Sequence, residues 1–244
     1  MGPRSRHASA VLLVVGVLLV AGCGKSDDKA TDTTGSTTTT KATASTATTE
    51  TTASTSTTAP DAESTDTAVW PFVSSSTRYT DPVEAATGFA TTFLGFVDPI
   101  VGDFQQGDSR SGEVAVQTSA SGPVTTVLVR QLGADDSWWV LGASTPNLQI
   151  TTPDPLATVT SPLRVSGTGT AFEGTINVEV RADDQSKPVV AGPTMGGSMG
   201  EMRPFTIGMT FLPAPVVSGG AIVVKTMSPK DGNIAEATVI RIHF

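Results

Sequence analysis

From residue 147 to the last residue no helical spacing of apolar side chains survives. Apolar and polar residues instead alternate in short runs, cut by glycine or proline turns about every eight to twelve residues. Such a rhythm specifies antiparallel strands, each with one buried face, and so a β-sandwich or barrel. The runs predict strands at 148–151, 163–167, 175–181, 188–191, 205–211, 221–226 and 235–244. Ile176, Val178 and Val180 define one buried face, and Phe205, Ile207, Met209 and Phe211 another. In the last strand the apolar set shifts from Ala237 and Val239 to Ile240, Ile242 and Phe244, which predicts a bulge near Val239.

The preceding residues have a different pattern. Asp81-Pro82-Val83-Glu84 carries a capping aspartate, a proline suited to the first helical position and an acid in the first turn. Val83, Ala86, Ala90, Phe93, Leu94 and Val97 then recur at helical spacing until Asp98-Pro99 stops the pattern. Strand-like runs follow at 113–117, 124–131 and 138–143, the last two joined by the turn-forming Gly133-Ala134-Asp135-Asp136. One helix on a small antiparallel sheet satisfies this pattern, so residues 70–146 are expected to form a small α+β domain and 147–244 a β-sandwich, a mainly β chain. Trp138 and Trp139 must point to opposite faces of their strand. One faces the helix, and the other is either half-covered by a loop or the next domain, or a stacking platform for a sugar or peptide.

Upstream of Trp70 the composition changes abruptly. Residues 24–69 contain no aromatic side chain, and twenty of the thirty residues 31–60 are serine or threonine. Such a stretch buries too little apolar surface to offset the entropy of ordering it, so 23–69 reads as a disordered tether, with a root-mean-square reach of roughly 35–40 Å. Arg4 and Arg6 precede an uncharged apolar run at 10–20, too short to span a bilayer, which marks residues 1–22 as a secretory signal. Leu19-Val20-Ala21-Gly22-Cys23 resembles the lipobox of bacterial lipoproteins. That resemblance implies cleavage before Cys23, a diacylglycerol on its thiol and often an acylated N-terminus. Two or more chains anchor stably where one exchanges. Cys23 is the only cysteine, so no intrachain disulfide forms.

Removal of 1–22 leaves 13 basic and 23 acidic residues, a formal charge near −10. No basic patch suits nucleic acid, and lipid rather than charge must retain the protein at a surface. The expected location is the outer face of the cytoplasmic membrane.

Residues 150–174 carry Ser161-Pro162-Leu163-Arg164-Val165-Ser166-Gly167 and then Ala171-Phe172-Glu173-Gly174-Thr175. A glycine-rich middle, Pro204-Phe205-Thr206 and the late turn Ser228-Pro229-Lys230-Asp231-Gly232 follow in order. Together these resemble the immunoglobulin-like domain of bacterial spore germination proteins, over about residues 147–244. The part from Asp81 to Ala143 is similar to the domain that accompanies this module in lipoproteins of high-GC Gram-positive bacteria. The resemblance implies an extracytoplasmic accessory domain with no established catalytic residues.

Little in the sequence points to catalysis. His243 is the one histidine beyond the signal and sits at a strand end, a poor place for the pocket in which an acid and a nucleophile would have to converge on it. Several histidine or cysteine ligands would be needed for zinc or copper, and no metal or cofactor is expected. Asp135, Asp136, Asp183 and Asp184 sit in hairpin loops, where paired acids solvate a turn or, less often, bind calcium, but EF-hand spacing is missing. Glu173 is read as fixing its turn through loop amides, with Gly174 supplying an unusual dihedral, or as a functional acid. Gly167-Thr168-Gly169 and residues 196–200 lack a following helix to hold phosphate. The second loop exposes Met195, Met199 and Met202, either as an adaptable contact surface or as packing over the sandwich edge.

The expected function is a non-enzymatic binding or scaffolding module whose partner is an envelope protein or wall polymer. The alternative is an envelope glycan hydrolase using carboxylates. With only Ser144-Thr145-Pro146 between the two parts, the expected site is a cleft lined by the outward one of Trp138 and Trp139, the Glu173 turn and Met199.

Overall fold

The computed structural model describes residues 64–244; the signal, Cys23 and the tether through residue 63 lie outside the described residues. The described fold starts with a 3-10 turn, Thr65–Thr67, whose capping Ser64 hydroxyl accepts from the Asp66 amide. Ala68 and Val69 are already buried, and the Val69 amide donates to the Val140 carbonyl at 2.8 Å. Strand pairing therefore starts before the composition change at Trp70, because a backbone bond needs no aromatic side chain.

Helix α1, Pro82–Gly88, begins where its cap predicts: Asp81 Oδ1 accepts from the Val83 and Glu84 amides at 2.8 and 3.0 Å. It widens into a π-helical turn, Phe89–Leu94, and ends on Gly95 in the left-handed conformation at φ 84°. The helix is thus shorter than the stop at Asp98-Pro99 predicts, since Gly95 lets the chain turn away first. Val97, expected on the buried stripe, is exposed, while Ala85 and Phe89 are fully buried. Phe89 and Phe93 stack at 5.1 Å between ring centres.

Twelve strands follow. The first four form a meander: β1 Ile100–Gln106, β2 Ser111–Gln117, β3 Thr125–Leu132 and β4 Ser137–Ser144. Then come β5 Leu148–Thr152, β6 Leu163–Ala171, β7 Thr175–Ala182 and β8 Val190–Met195. The last are β9 Gly197–Ser198, β10 Arg203–Met209, β11 Gly219–Met227 and β12 Ile234–His243. All seven strands expected after residue 147 are present, and so are the three before it. The sequence pattern misses two: β9, only two residues long within a glycine-rich loop, and β1, whose ladder to β2 slips between Val101 and Phe104, so its apolar residues never alternate cleanly.

The large sheet runs β1-β2-β3-β4-β12-β11-β7-β8 and crosses the boundary expected at residues 146/147, while the small sheet is β10-β6-β5 with β9 lying parallel to β6. The join is narrow: Val239 of β12 pairs with Ala143 of β4. Gly142 permits it, because a Cβ there would come within 2.6 Å of the Val239 carbonyl. Beyond this bridge hydroxyls replace the ladder, with the Ala237 amide donating to Thr125 Oγ1 and the Thr145 amide to Thr238 Oγ1.

Strands β7, β11 and β12 are covered on both faces. Val178, Val180, Ile222, Val224 and Ile242 pack against the small sheet with Val165, Phe205 and Met209, closing the sandwich core. Ala221, Val223, Ala237 and Val239 on the opposite face pack beneath α1 and its π turn, with Val127, Val140 and Trp138. This double covering explains the apolar shift in β12. The ladder between β11 and β12 is regular through Val239 and slips only between Thr226 and Met227, so the bulge expected near Val239 is not there. The two apolar sets simply serve two cores.

Candidate functional site

At one end of the sandwich β6, β8, β9 and β11 bring together a group of unusually exposed apolar side chains. Phe172 follows β6 and is 56% exposed, Met199 follows β9 and is 83% exposed, and Met195 and Met227 are also open. Local backbone conformation displays them. Gly174, at φ 77°, closes the turn after Phe172, and Met199 itself sits at φ 55° before Gly200 at φ 85°. A substitution at Gly174 would strain this turn and press on the Met195 methyl, 3.2 Å from an added Cβ.

Two depressions meet at this end. A groove of about 430 Å³ runs between Met199, Phe172, Met227 and Pro229 on one side and the Ser121-Gly122-Pro123 loop on the other, with Asn147, Thr170 and Glu236 beneath. A smaller one of about 290 Å³ lies across Phe172, Met227 and Pro229, where Glu173, Thr175 and Asn177 line it. Glu173 and Met199 are thus brought to one end of the molecule, on either side of the Phe172 ring. The Glu173 carboxylate is exposed and enters no hydrogen bond among the described residues, so the turn is held by Gly174 and by its amide to the Ala171 carbonyl at 3.3 Å, not by loop amides on the acid.

Trp138 and Trp139 lie elsewhere. Their side chains do face opposite ways, but both are buried, and neither is a half-open platform. Trp138 packs edge-on against Phe104 at 5.2 Å in the core beneath the helix. Trp139 is closed over by Ala68, Leu132 and Leu141, with the Arg78 guanidinium 4.9 Å above its ring. Part of this cover, Ala68, comes from the stretch that composition marks as tether, and Arg78 comes from just beyond it.

Sequence reasoning missed the groove's polar floor. Glu236 is only 4% exposed; its Oε2 accepts from Thr145 Oγ1 at 2.5 Å and Asn147 Nδ2 at 3.0 Å, and its Oε1 from Thr226 Oγ1 at 3.2 Å. Thr170 is 7% exposed, its amide donates to the Asn147 carbonyl at 3.0 Å, and its hydroxyl has no partner among the described residues. One signal was available: a glutamate inside the apolar run of β12 must either face water or collect donors.

The other acids singled out have structural partners. Asp183 takes a bidentate bond from Arg241 at 2.7 and 2.8 Å, and Asp184 accepts from the Ser74 hydroxyl. Asp136 pairs with Arg110 at 2.7 Å and Asp135 accepts from Ser137 Oγ at 2.8 Å. Among the described residues no group of three or more acids, histidines or cysteines converges as metal ligands would. His243, half-buried at the end of β12, exchanges backbone bonds with Ala157 and Val159. No helix of the described residues is long and apolar enough to cross a membrane.

A further depression of about 450 Å³ lies between Trp70, Phe72, Phe93 and Arg181. Its cation is already engaged, since Arg181 donates to Glu179 and to the Phe93 carbonyl, and Lys225 pairs with Glu179 as well. Burial pushes the Glu179 carboxyl upward, but Lys225 and Arg181 outweigh it and hold the group below the ordinary glutamate range.

The β12-β11-β7-β8 part of the large sheet and the antiparallel β10-β6-β5 strands, packed face to face over one aliphatic core, define an immunoglobulin-like β-sandwich with an added helix-covered meander. Residues 147–233 match the family described as the immunoglobulin-like domain of bacterial spore germination, a domain type that is not a known enzymatic fold. No curated protein and no solved structure matches the chain.

Proposed function

We propose that this chain is a lipid-anchored lipoprotein at the outer face of the cytoplasmic membrane, where its sandwich acts as a non-enzymatic binding or scaffolding module for an envelope protein or wall polymer. The observation that carries the binding role is the open apolar end formed by Phe172, Met195, Met199 and Met227. Isolated exposed apolar residues are ordinary, but a cluster beside a groove with a polar floor is the usual construction of a recognition surface. Methionines suit it, because their unbranched side chains adapt to a partner's shape. The anchor rests on the lipobox-like run ending at Cys23, and a connection with germination rests on the matched domain.

Cys23→Ser separates the parts of this reading. The variant should leave the membrane fraction for the medium or the soluble envelope fraction; retention in detergent-extractable membrane would overturn the anchor. Crosslinking on intact cells should capture a partner through the Met199 end, and replacing Phe172 or Met199 should reduce that capture without lowering the melting temperature.

A further inference from the structure

The groove beside Met199 has walls and a floor of opposite character. Its sides are methionine thioethers, the Phe172 ring and a proline, all accommodating to an aliphatic chain. Beneath them sits a carboxylate that no lysine or arginine of the described residues neutralises, because Glu236 is held only by two hydroxyls and an amide. A buried carboxylate without a counter-charge is costly, and three neutral donors offset only part of that cost. The Thr170 hydroxyl, more than nine-tenths buried in the same floor, has no partner among the described residues and can accept a hydrogen bond.

From these observations we infer that the groove receives a lysine side chain presented by a partner protein. This rests on the binding-module reading above and names the chemistry of its partner. The four-carbon stem lies between Met199, Met227 and Phe172, and the ammonium reaches the floor, where two of its three donors meet Glu236 Oε1 and Thr170 Oγ1. Oε1 has room, since it takes one bond at 3.2 Å whereas Oε2 already takes two. The same asymmetry disfavours the bidentate pairing that favours arginine elsewhere, in which the planar fork takes both oxygens of a carboxylate. An acidic body with a formal charge near −10 after signal removal adds a general attraction for a cationic partner.

The test is a titration of the full chain, purified in detergent and labelled at its methionine methyls, with blocked glycine tripeptides carrying a central lysine, norleucine or arginine. Norleucine keeps the stem and removes the charge. The lysyl peptide should shift the Met199 and Met227 methyl resonances with a dissociation constant of about 1 mM, leaving Met209 in the sandwich core unmoved. The norleucyl peptide should bind about tenfold more weakly or worse, and the arginyl peptide more weakly than the lysyl one. Glu236→Gln should weaken lysyl binding about tenfold or more, and Thr170→Val several-fold. Met199→Ala lies outside the core, so it should weaken binding a few-fold with an unchanged melting temperature even if Glu236→Gln disturbs the fold.

Equal binding of norleucine and lysine, indifference to Glu236→Gln in a folded protein, or no movement of Met199 and Met227 at saturating lysyl peptide would overturn the inference. Stronger arginyl than lysyl binding would overturn the choice of lysine. The titration does not involve the anchor, so a positive titration beside membrane retention of Cys23→Ser would sink the lipoprotein reading alone.

Discussion

The two faces of β7, β11 and β12 come from alternate residues of the same strands, yet they are sealed in different ways. Toward the small sheet the strands present only aliphatic side chains, Val178, Val180, Ile222, Val224 and Ile242. Toward the helix they present small and aliphatic residues together with a nearly buried ion cluster, Glu179 with Arg181 and Lys225. An aliphatic face tolerates any well-packed cover of the right shape. The charged face tolerates one, because Arg181 must meet the Phe93 carbonyl at the end of the π turn. The difference suggests that the sandwich core supplies stability while the ion cluster fixes how the helix and meander are seated on the sheet.

The most severe way to break this comparison is to remove the helix face's cover entirely. A chain starting at Asn147 keeps the whole sandwich core and is expected to fold with a β-type circular dichroism spectrum. It exposes Ala221, Val223, Ala237 and Val239, so it should lose at least about 3 kcal/mol relative to the full chain, read as a much lower urea midpoint. A random-coil spectrum instead would mean that the two faces form one folding unit. Next in size is Glu179→Ala, which strands Arg181 and Lys225 without a counter-charge and should cost on the order of 3–5 kcal/mol. Since the folded-state pKa of Glu179 is depressed, its contribution is complete above the unfolded value of about 4.3 and is lost as the pH falls through the lower folded value. The native protein should therefore destabilise on acidification through that range more steeply than Glu179→Ala, as thermal melts between neutral and acid pH would show. The smallest effect sharpens the aliphatic side: Ile222→Val removes one methylene from the sandwich core and should cost about 0.5–1.5 kcal/mol with no change in pH dependence.

Much of this architecture was legible in the sequence, and for identifiable reasons. Strand periodicity is local, so the alternations at 175–181 and 205–211 located β7 and β10 to within two residues. The Asp81-Pro82 cap located the start of α1 for the same reason. Sequence also placed Glu173 and Met199 in exposed turns, where the structure has them. It failed wherever a residue's environment came from a distant segment. The burial of Trp139 depends on Ala68 and Arg78, some sixty to seventy positions away, and the floor of the groove joins Asn147, Thr170, Thr226 and Glu236 from four separate stretches.

By itself, then, the sequence determined which segments are strands, where the helix begins, and that no disulfide supports the fold, because propensity, capping and cysteine count are properties of short windows or of composition. Only the tertiary structure decided that β4 and β12 pair across the expected domain boundary, that β11 is covered twice, and that Glu236 lies under Met199 with no cation of the described residues paired to it. Those outcomes depend on which face of a strand meets which layer. Alternation along one strand marks two faces but cannot say what will cover either of them.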